Sequence, residues 1–208
     1  MKFAHKARGV PSSVAVLAGA FNPPTTAHVA LANAALELVD EVVLAIPRAF
    51  PHKQFDGATL DQRLAMMERI ASAAPNLSAA VADGGLFVEI AREARIHYPG
   101  AEIHLLCGRD AAERIVTWDY GEPDFVSRML EEFRLLVAPR FGEYIPPEPL
   151  RHAVRSLAPG NYDAYSSTRF REAIKSGEEW RALIPPDITQ LVQEIYSPTV
   201  ASRNARRR

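Results

Sequence analysis

Residues 14–46, VAVLAGAFNPPTTAHVALANAALELVDEVVLAI, decide the fold. The stretch opens with Val14–Ala18, a short apolar run of the kind carried by a strand buried on both faces. A Gly/Pro-rich loop follows from Gly19 to Thr26. Helical spacing then runs from about His28 to Leu38, with Leu31, Ala35, Leu36 and Leu38 apolar, and Val42–Ile46 is a second buried strand. Strand, loop, helix and strand in some 33 residues make a βαβ unit, which requires a parallel sheet and a right-handed crossover.

The alternation continues outward. Thr59 to Gln62 reads as a capping box opening a helix that runs to about Ala74. Leu77–Ala82 is a strand, Leu86–His97 a helix, and Ile103–Cys107 another buried strand. Gly108, Arg109 and Asp110 turn into a helix carrying Ile115 and Val116; Pro123–Glu132 is helical and Leu135–Ala138 is a further strand. Residues 139–160 are proline-rich and show no period. Ser167–Ser176 and Asp187–Tyr196 are two C-terminal helices. The sum is an α/β fold, an open doubly wound parallel sheet with C-terminal helices, whose site falls at the carboxyl ends of the strands. Residues 1–13 read as an N-terminal extension, 14–197 as one domain, and 198–208 as a basic flexible tail.

Composition narrows the function. The 208 residues are 48% hydrophobic and 24% charged, which suits a packed globular chain. The formal net charge of −1 argues against nucleic acid or an anionic membrane as a partner. Lys and Arg number 24 and Asp and Glu 25; leaving out the four arginines between Arg203 and Arg208 gives 20 against 25, a body near −5. Any anionic substrate must therefore be held by local donors. The lone cysteine, Cys107, excludes an internal disulfide and reads as a buried thiol. The N-terminal residues lack the apolar core of a secretory signal and no apolar run reaches transmembrane length, so a cytoplasmic protein is expected, with homo-oligomerisation open.

Four segments carry chemistry. The first strand–helix loop, GAFNPPTTAH, matches neither a dinucleotide fingerprint nor a phosphate-binding loop with its lysine. Gly19 permits close backbone approach, and Thr25 and His28, three apart, share a face at a helix N-terminus whose free N–H groups suit phosphate. The alternative is a helix cap with a surface histidine. The second loop places Lys53 beside the first, where it could neutralise a phosphate or be an ordinary exposed lysine. After the strand Ile103–Cys107, Asp110 is either first-turn charge or a carboxylate for a ribose hydroxyl, and Trp118 and Tyr120 are either core or a stacking surface for an aromatic base. Finally, Ser166, Ser167 and Thr168 gather three hydroxyls at a helix start with Arg169 and Arg171 near; a cap needs one, so the group suits an anion.

Together these segments resemble one family. GAFNPPTTAH is similar to the (H/T)xGH signature of the nucleotidyltransferase superfamily and YSSTRFR to its ISSTxxR signature. Within it, residues 14–196 are most similar to bacterial nicotinate/nicotinamide mononucleotide adenylyltransferases, including IPRAFPHK, LDQRLAMMERI, the GRD turn with TWDY, and LLVAPR. The resemblance implies a Rossmann-like sheet and adenylyl transfer from ATP, with Mg²⁺, to a pyridine mononucleotide in NAD biosynthesis. It implies that Gly19, Phe21, Thr25 and His28 line the ATP site and that Lys53 helps hold phosphate. Gly108 and Asp110 would approach the nucleotide, Trp118 (with Tyr120 beside it) would face the pyridine ring, and Ser166, Ser167, Thr168 and Arg171 would hold the β- and γ-phosphates. Three positions depart from the pattern: Thr25 stands where histidine is usual, Ala27 where glycine is usual, and Gly84–Val88 lacks the threonine or tyrosine that meets the pyridine carboxylate.

The reaction so implied is attack of a mononucleotide phosphate on the α-phosphorus of ATP. A phosphate monoester has its second pKa near ~6, so it attacks without a general base. His28, protonated in the complex, would stabilise the α-phosphate and the departing bridge oxygen. A transferase of the same fold with another phosphorylated acceptor, or a nucleotide-binding sensor without turnover, are the competing readings.

Overall fold

In the computed structural model, described for residues 1–48, 57–122, 124–139, 144–158, 160 and 164–197, a seven-stranded sheet has the order β1-β4-β3-β2-β5-β6-β7. The strands are β1 (Lys2–His5), β2 (Ser13–Ala18), β3 (Glu41–Pro47), β4 (Leu77–Ala82), β5 (Glu102–Gly108), β6 (Arg134–Ala138) and β7 (Val154–Ser156). All neighbours are parallel except β1 with β4. The five strands expected from apolar runs are all present, because a central parallel strand is covered on both faces and needs no polar alternation. Every residue of β3 is buried.

The two outer strands differ from expectation. Residues 2–5, part of the N-terminal extension in sequence, pair antiparallel with β4 and cover its edge, with Lys2 opposite Val81 and Phe3 opposite Ala80. β7 comes from the proline-rich 139–160 region and caps the opposite edge by pairing with β6.

Seven α-helices connect the strands: α1 (Thr26–Leu36), α2 (Leu60–Ser72), α3 (Phe87–His97), α4 (Arg109–Thr117), α5 (Phe125–Glu132), α6 (Ser167–Ser176) and α7 (Thr189–Tyr196), counted among the described residues. The capping box of α2 forms as read: Thr59 N–H donates to Gln62 Oε1 at 2.9 Å and Gln62 N–H to Thr59 Oγ1 at 3.2 Å. α6 ends at Gly177, whose φ of +78° is the left-handed conformation glycine takes without strain. One core layer packs α1, α2, α6 and α7 on the sheet, and the other packs α3, α4 and α5. The chain runs outward through β3 and β4 on one side of β2 and through β5, β6 and β7 on the other. The order therefore reverses between β2 and β5, where an open α/β sheet leaves a crevice at its carboxyl edge. Among the described residues no helix is long and apolar enough to cross a membrane.

Candidate active site

A cleft of about 500 Å³ opens at that reversal, between the carboxyl ends of β2, β5 and β6 and the N-termini of α1 and α6. Gly19, Thr25 and His28 from the first loop, Gly108 from β5, and Ser166, Ser167 and Thr168 from α6 line it. Among its described lining residues there is no Lys, Arg, Asp or Glu. The N-termini of α1 and α6, and that of α4 behind Gly108, turn the positive ends of their dipoles to the cleft.

The loop from Gly19 to Thr25 is held from three directions. Phe21 takes a φ of +47° and Asn22–Pro23 is a cis peptide. Three carbonyls along this path accept side-chain donors. Arg63 of α2 donates Nη1–H to Ala20 O at 2.8 Å, Arg171 of α6 donates Nη1–H to Asn22 O at 2.7 Å, and Ser167 Oγ–H donates to Pro23 O at 2.8 Å. The buried Asn22 side chain accepts from Tyr196 O–H of α7 at 2.5 Å and from Ala58 N–H at 3.3 Å. Phe21, expected to line the ATP site, instead buries its ring in the core, with its centroid 4.9 Å from that of His28. The two rings meet at a tilt of 52°.

His28 is oriented by Thr25. The backbone N–H of Thr25 donates to His28 Nδ1 at 2.9 Å, and the Thr25 hydroxyl lies 2.7 Å from the same nitrogen. This is a capping box in which an imidazole stands where Glu or Gln is usual. A ring nitrogen that receives an N–H carries no proton itself, so the proton sits on Nε2. Burial, the only cause acting on the ring, pushes its pKa down to about 4. The free chain therefore carries a neutral His28 at pH 7; the imidazolium expected from sequence is that of the substrate complex.

At α6, the three hydroxyls each have a structural partner. Ser166 caps the helix by accepting from Arg169 N–H at 3.1 Å, Ser167 reaches Pro23, and Thr168 accepts from Arg171 Nη2–H at 3.2 Å. Arg171 thus ties α6 to the first loop and does not line the cleft. On the far wall Gly108 is open: a Cβ there would meet nothing within 4 Å. Asp110 is exposed in the first turn of α4, outside the cleft lining. Trp118 is 64% exposed, a free aromatic face. Tyr120 differs: it stacks on Phe125 with centroids 4.4 Å apart and donates its O–H to Ile115 O at 3.2 Å, so its ring is used in packing. Cys107 lines the cleft as a thiol, its pKa raised to about 12 by burial. Lys53 and the tail arginines lie outside the described residues.

A family model described as cytidylyltransferase-like matches residues 16–173, from β2 through most of α6. The chain belongs to that family. It is 31% identical over 197 residues to a probable nicotinate-nucleotide adenylyltransferase of Chlorobium phaeobacteroides, covering 86% of this chain and 95% of the relative. It is also 31% identical to a protein of the same description from Prosthecochloris aestuarii, covering 88% and 98%. Its fold is similar to that of Plasmodium falciparum nicotinic acid mononucleotide adenylyltransferase complexed with NaAD, with a TM-score of 0.65 at 15% identity over 88% of this chain and 95% of that one.

In this cytidylyltransferase-like chain, sequence reading missed the residues that brace the first loop: Asn22, Arg63 and Tyr196. Arg63 had a signal. It stands in phase with Met66, Met67 and Ile70 on the buried face of α2, and a charge at such a position is buried for a reason; it is 7% exposed. The start of α3 differs from those of α1 and α6. Glu89 Oε2 accepts the N–H groups of Gly85 at 2.9 Å and Leu86 at 3.0 Å, and Glu93 Oε1 accepts that of Gly84 at 2.6 Å. These donors are occupied by the chain's own carboxylates.

Proposed function

We propose that the chain transfers the adenylyl group of ATP to a pyridine mononucleotide, nicotinate or nicotinamide mononucleotide, releasing pyrophosphate, as a cytoplasmic step of NAD biosynthesis. The observation that carries this reading is the cleft where the N-termini of α1 and α6 meet the His28 imidazole, with no Lys, Arg, Asp or Glu among its described lining residues. The names of the relatives point to the same acceptor class.

An oxygen of the acceptor phosphate attacks the α-phosphorus, and the bond from that phosphorus to the bridging oxygen breaks as pyrophosphate leaves. Little proton chemistry is required, so positioning and charge stabilisation supply the rate. His28 donates Nε2–H to an α-phosphate or bridge oxygen. The N–H groups at the start of α6, with Ser166, Ser167 and Thr168, receive the β- and γ-phosphates. Lys53 adds charge to the phosphates, Arg171 holds the first loop against α6, Asp110 takes a ribose hydroxyl and Trp118 stacks on the pyridine ring. Mg²⁺ enters as part of the ATP substrate. Among the described residues no cluster of three metal-ligating side chains exists. The hydroxyl and backbone donors of the cleft suit phosphate, leaving Mg²⁺ to phosphate oxygens and water.

One observation favours a second reading, in which the acceptor carries no acidic group on its base: Glu89 already occupies the Gly85 and Leu86 N–H groups. A pyrophosphate-release assay with ATP against nicotinate mononucleotide, nicotinamide mononucleotide and phosphopantetheine separates these. Turnover with a pyridine mononucleotide is expected. Turnover with phosphopantetheine alone would move the chain to another acceptor, and silence with all three would make it a nucleotide sensor.

A further inference from the structure

Thr25 stands at the cleft yet is fully buried. Both its backbone N–H and its hydroxyl approach a single atom, His28 Nδ1, at 2.9 and 2.7 Å. Two donors on the one in-plane lone pair of Nδ1 leave no room for a proton there. Protonation would bring an Nδ1–H against the Thr25 N–H, and that backbone group would be left buried without an acceptor. The hydroxyl also completes what the backbone begins, since Oγ1 can turn its proton toward the same nitrogen.

We propose that Thr25 is a positioning residue that locks His28 as the neutral Nε2–H tautomer, so that the phosphates meet a fixed neutral hydrogen-bond donor. This rests on the adenylyl-transfer reading for its purpose, though the lock itself is a property of the free chain.

The surroundings are consistent. From its own helix no ionised side chain faces the ring, and α1 has no acidic residue in its first turn. From the loop beneath comes the Phe21 ring. From α6, Arg171 is turned to Asn22 and Thr168, and Arg169 is paired with Glu178. From the 3-10 turn Arg181–Leu183, Ala182 O accepts the Thr26 hydroxyl at 3.1 Å while Arg181 lies with Glu179 and over Trp180. From β5, Cys107 stays a thiol. Desolvation is the single cause that shifts the ring. A neutral donor preset in this way keeps its geometry as charge moves from the α-phosphate to the departing oxygen, which is the condition for electrostatic stabilisation without reorganisation.

The test is ¹⁵N NMR of the His28 imidazole in the full-length chain without ligand, titrated from about pH 8 to about pH 5. The expected spectrum shows one neutral form throughout, with Nδ1 bare and Nε2 protonated. Thr25→Val keeps the shape and the backbone N–H but deletes the hydroxyl. It is expected to populate the Nδ1–H tautomer, because only the backbone donor then remains on Nδ1, while the midpoint stays low because burial sets it. Its kcat should fall about 10-fold with little change in KM for ATP, the mark of an interaction used in the transition state. Thr25→Ser should follow the unmutated chain in tautomer and midpoint. A His28 that titrates near ~6.5 in the unmutated chain or carries its proton on Nδ1 would overturn the proposal. So would a Thr25→Val spectrum identical to it, or a Thr25→Ser spectrum identical to that of valine. Because the spectra need no substrate, an inactive chain with the expected spectra would sink adenylyl transfer and leave the lock standing.

Discussion

Replacing His28 by Gln should flatten the acid sensitivity of folding. Gln is a usual residue at this position of a capping box, so its amide oxygen can accept the Thr25 N–H that His28 Nδ1 accepts at 2.9 Å, while the titration disappears. In the folded chain burial holds the imidazole at about 4, whereas an exposed histidine titrates near ~6.5. Between those values the unfolded chain binds the extra proton. Stability therefore rises with pH across that window and is lost as pH falls through it; above ~6.5 both states are neutral and the contribution is complete. Integrated from about pH 7.5 down to about pH 5, the loss is about 2 kcal/mol, or about 1 kcal/mol once the partial exposure of the ring is allowed for. His104, also held below its usual value chiefly by burial, titrates in both proteins and cancels in the difference. The assay is urea unfolding of the original chain and of His28→Gln at the two pH values. With a slope of about 2 kcal/mol per molar urea, the midpoint of the original chain should fall by about 0.5 M more than that of the variant. Equal losses in the two proteins would refute the claim that His28 is buried as a neutral donor.

His28→Ala should lower kcat by about 10²- to 10⁴-fold in pyrophosphate release, the range for removing a positioned donor; an unchanged kcat would remove His28 from the reaction. Arg63→Met, a substitution of similar length at a 7% exposed position, takes away the donor to Ala20 O. Urea unfolding should show a loss of about 1–3 kcal/mol, and kcat should fall through the loosened first loop. Trp118→Ala should raise KM for the pyridine mononucleotide about 5- to 100-fold and leave KM for ATP unchanged, as loss of one base–aromatic stack predicts.

The central strands were legible because parallel strands covered on both faces appear as unbroken apolar runs, as in VVLAI of β3. β1 was not, because KFAH is a half-exposed edge strand of mixed character whose only strong partner is β4. β7 has three residues, VRS, and gains its identity from β6 alone. At the site, Gly19 and the hydroxyls Ser166, Ser167 and Thr168 stood out because a strand–loop–helix juncture with those residue types has few other uses, and the cleft does gather them. The bracing of the first loop was hidden. Arg171, read as a phosphate ligand, and Tyr196, read only as the end of a helix, meet Asn22 across most of the chain, and no local period records such contacts. Trp118 and Tyr120 are two residues apart in sequence yet diverge in fate, since only Tyr120 has Phe125 to stack on.

The hydrogen bond from Tyr196 to Asn22 joins residues 174 apart in sequence. A chain still being synthesised, having emerged through β7, owns its whole sheet but lacks α6 and α7, and with them Arg171, Ser167 and Tyr196. Its first loop then has carbonyls without donors and α1 begins beside an open edge. The first loop is thus braced last although its residues are made early, and the same helices close one face of the sheet, so a chain lacking them loses the brace and part of that core layer together.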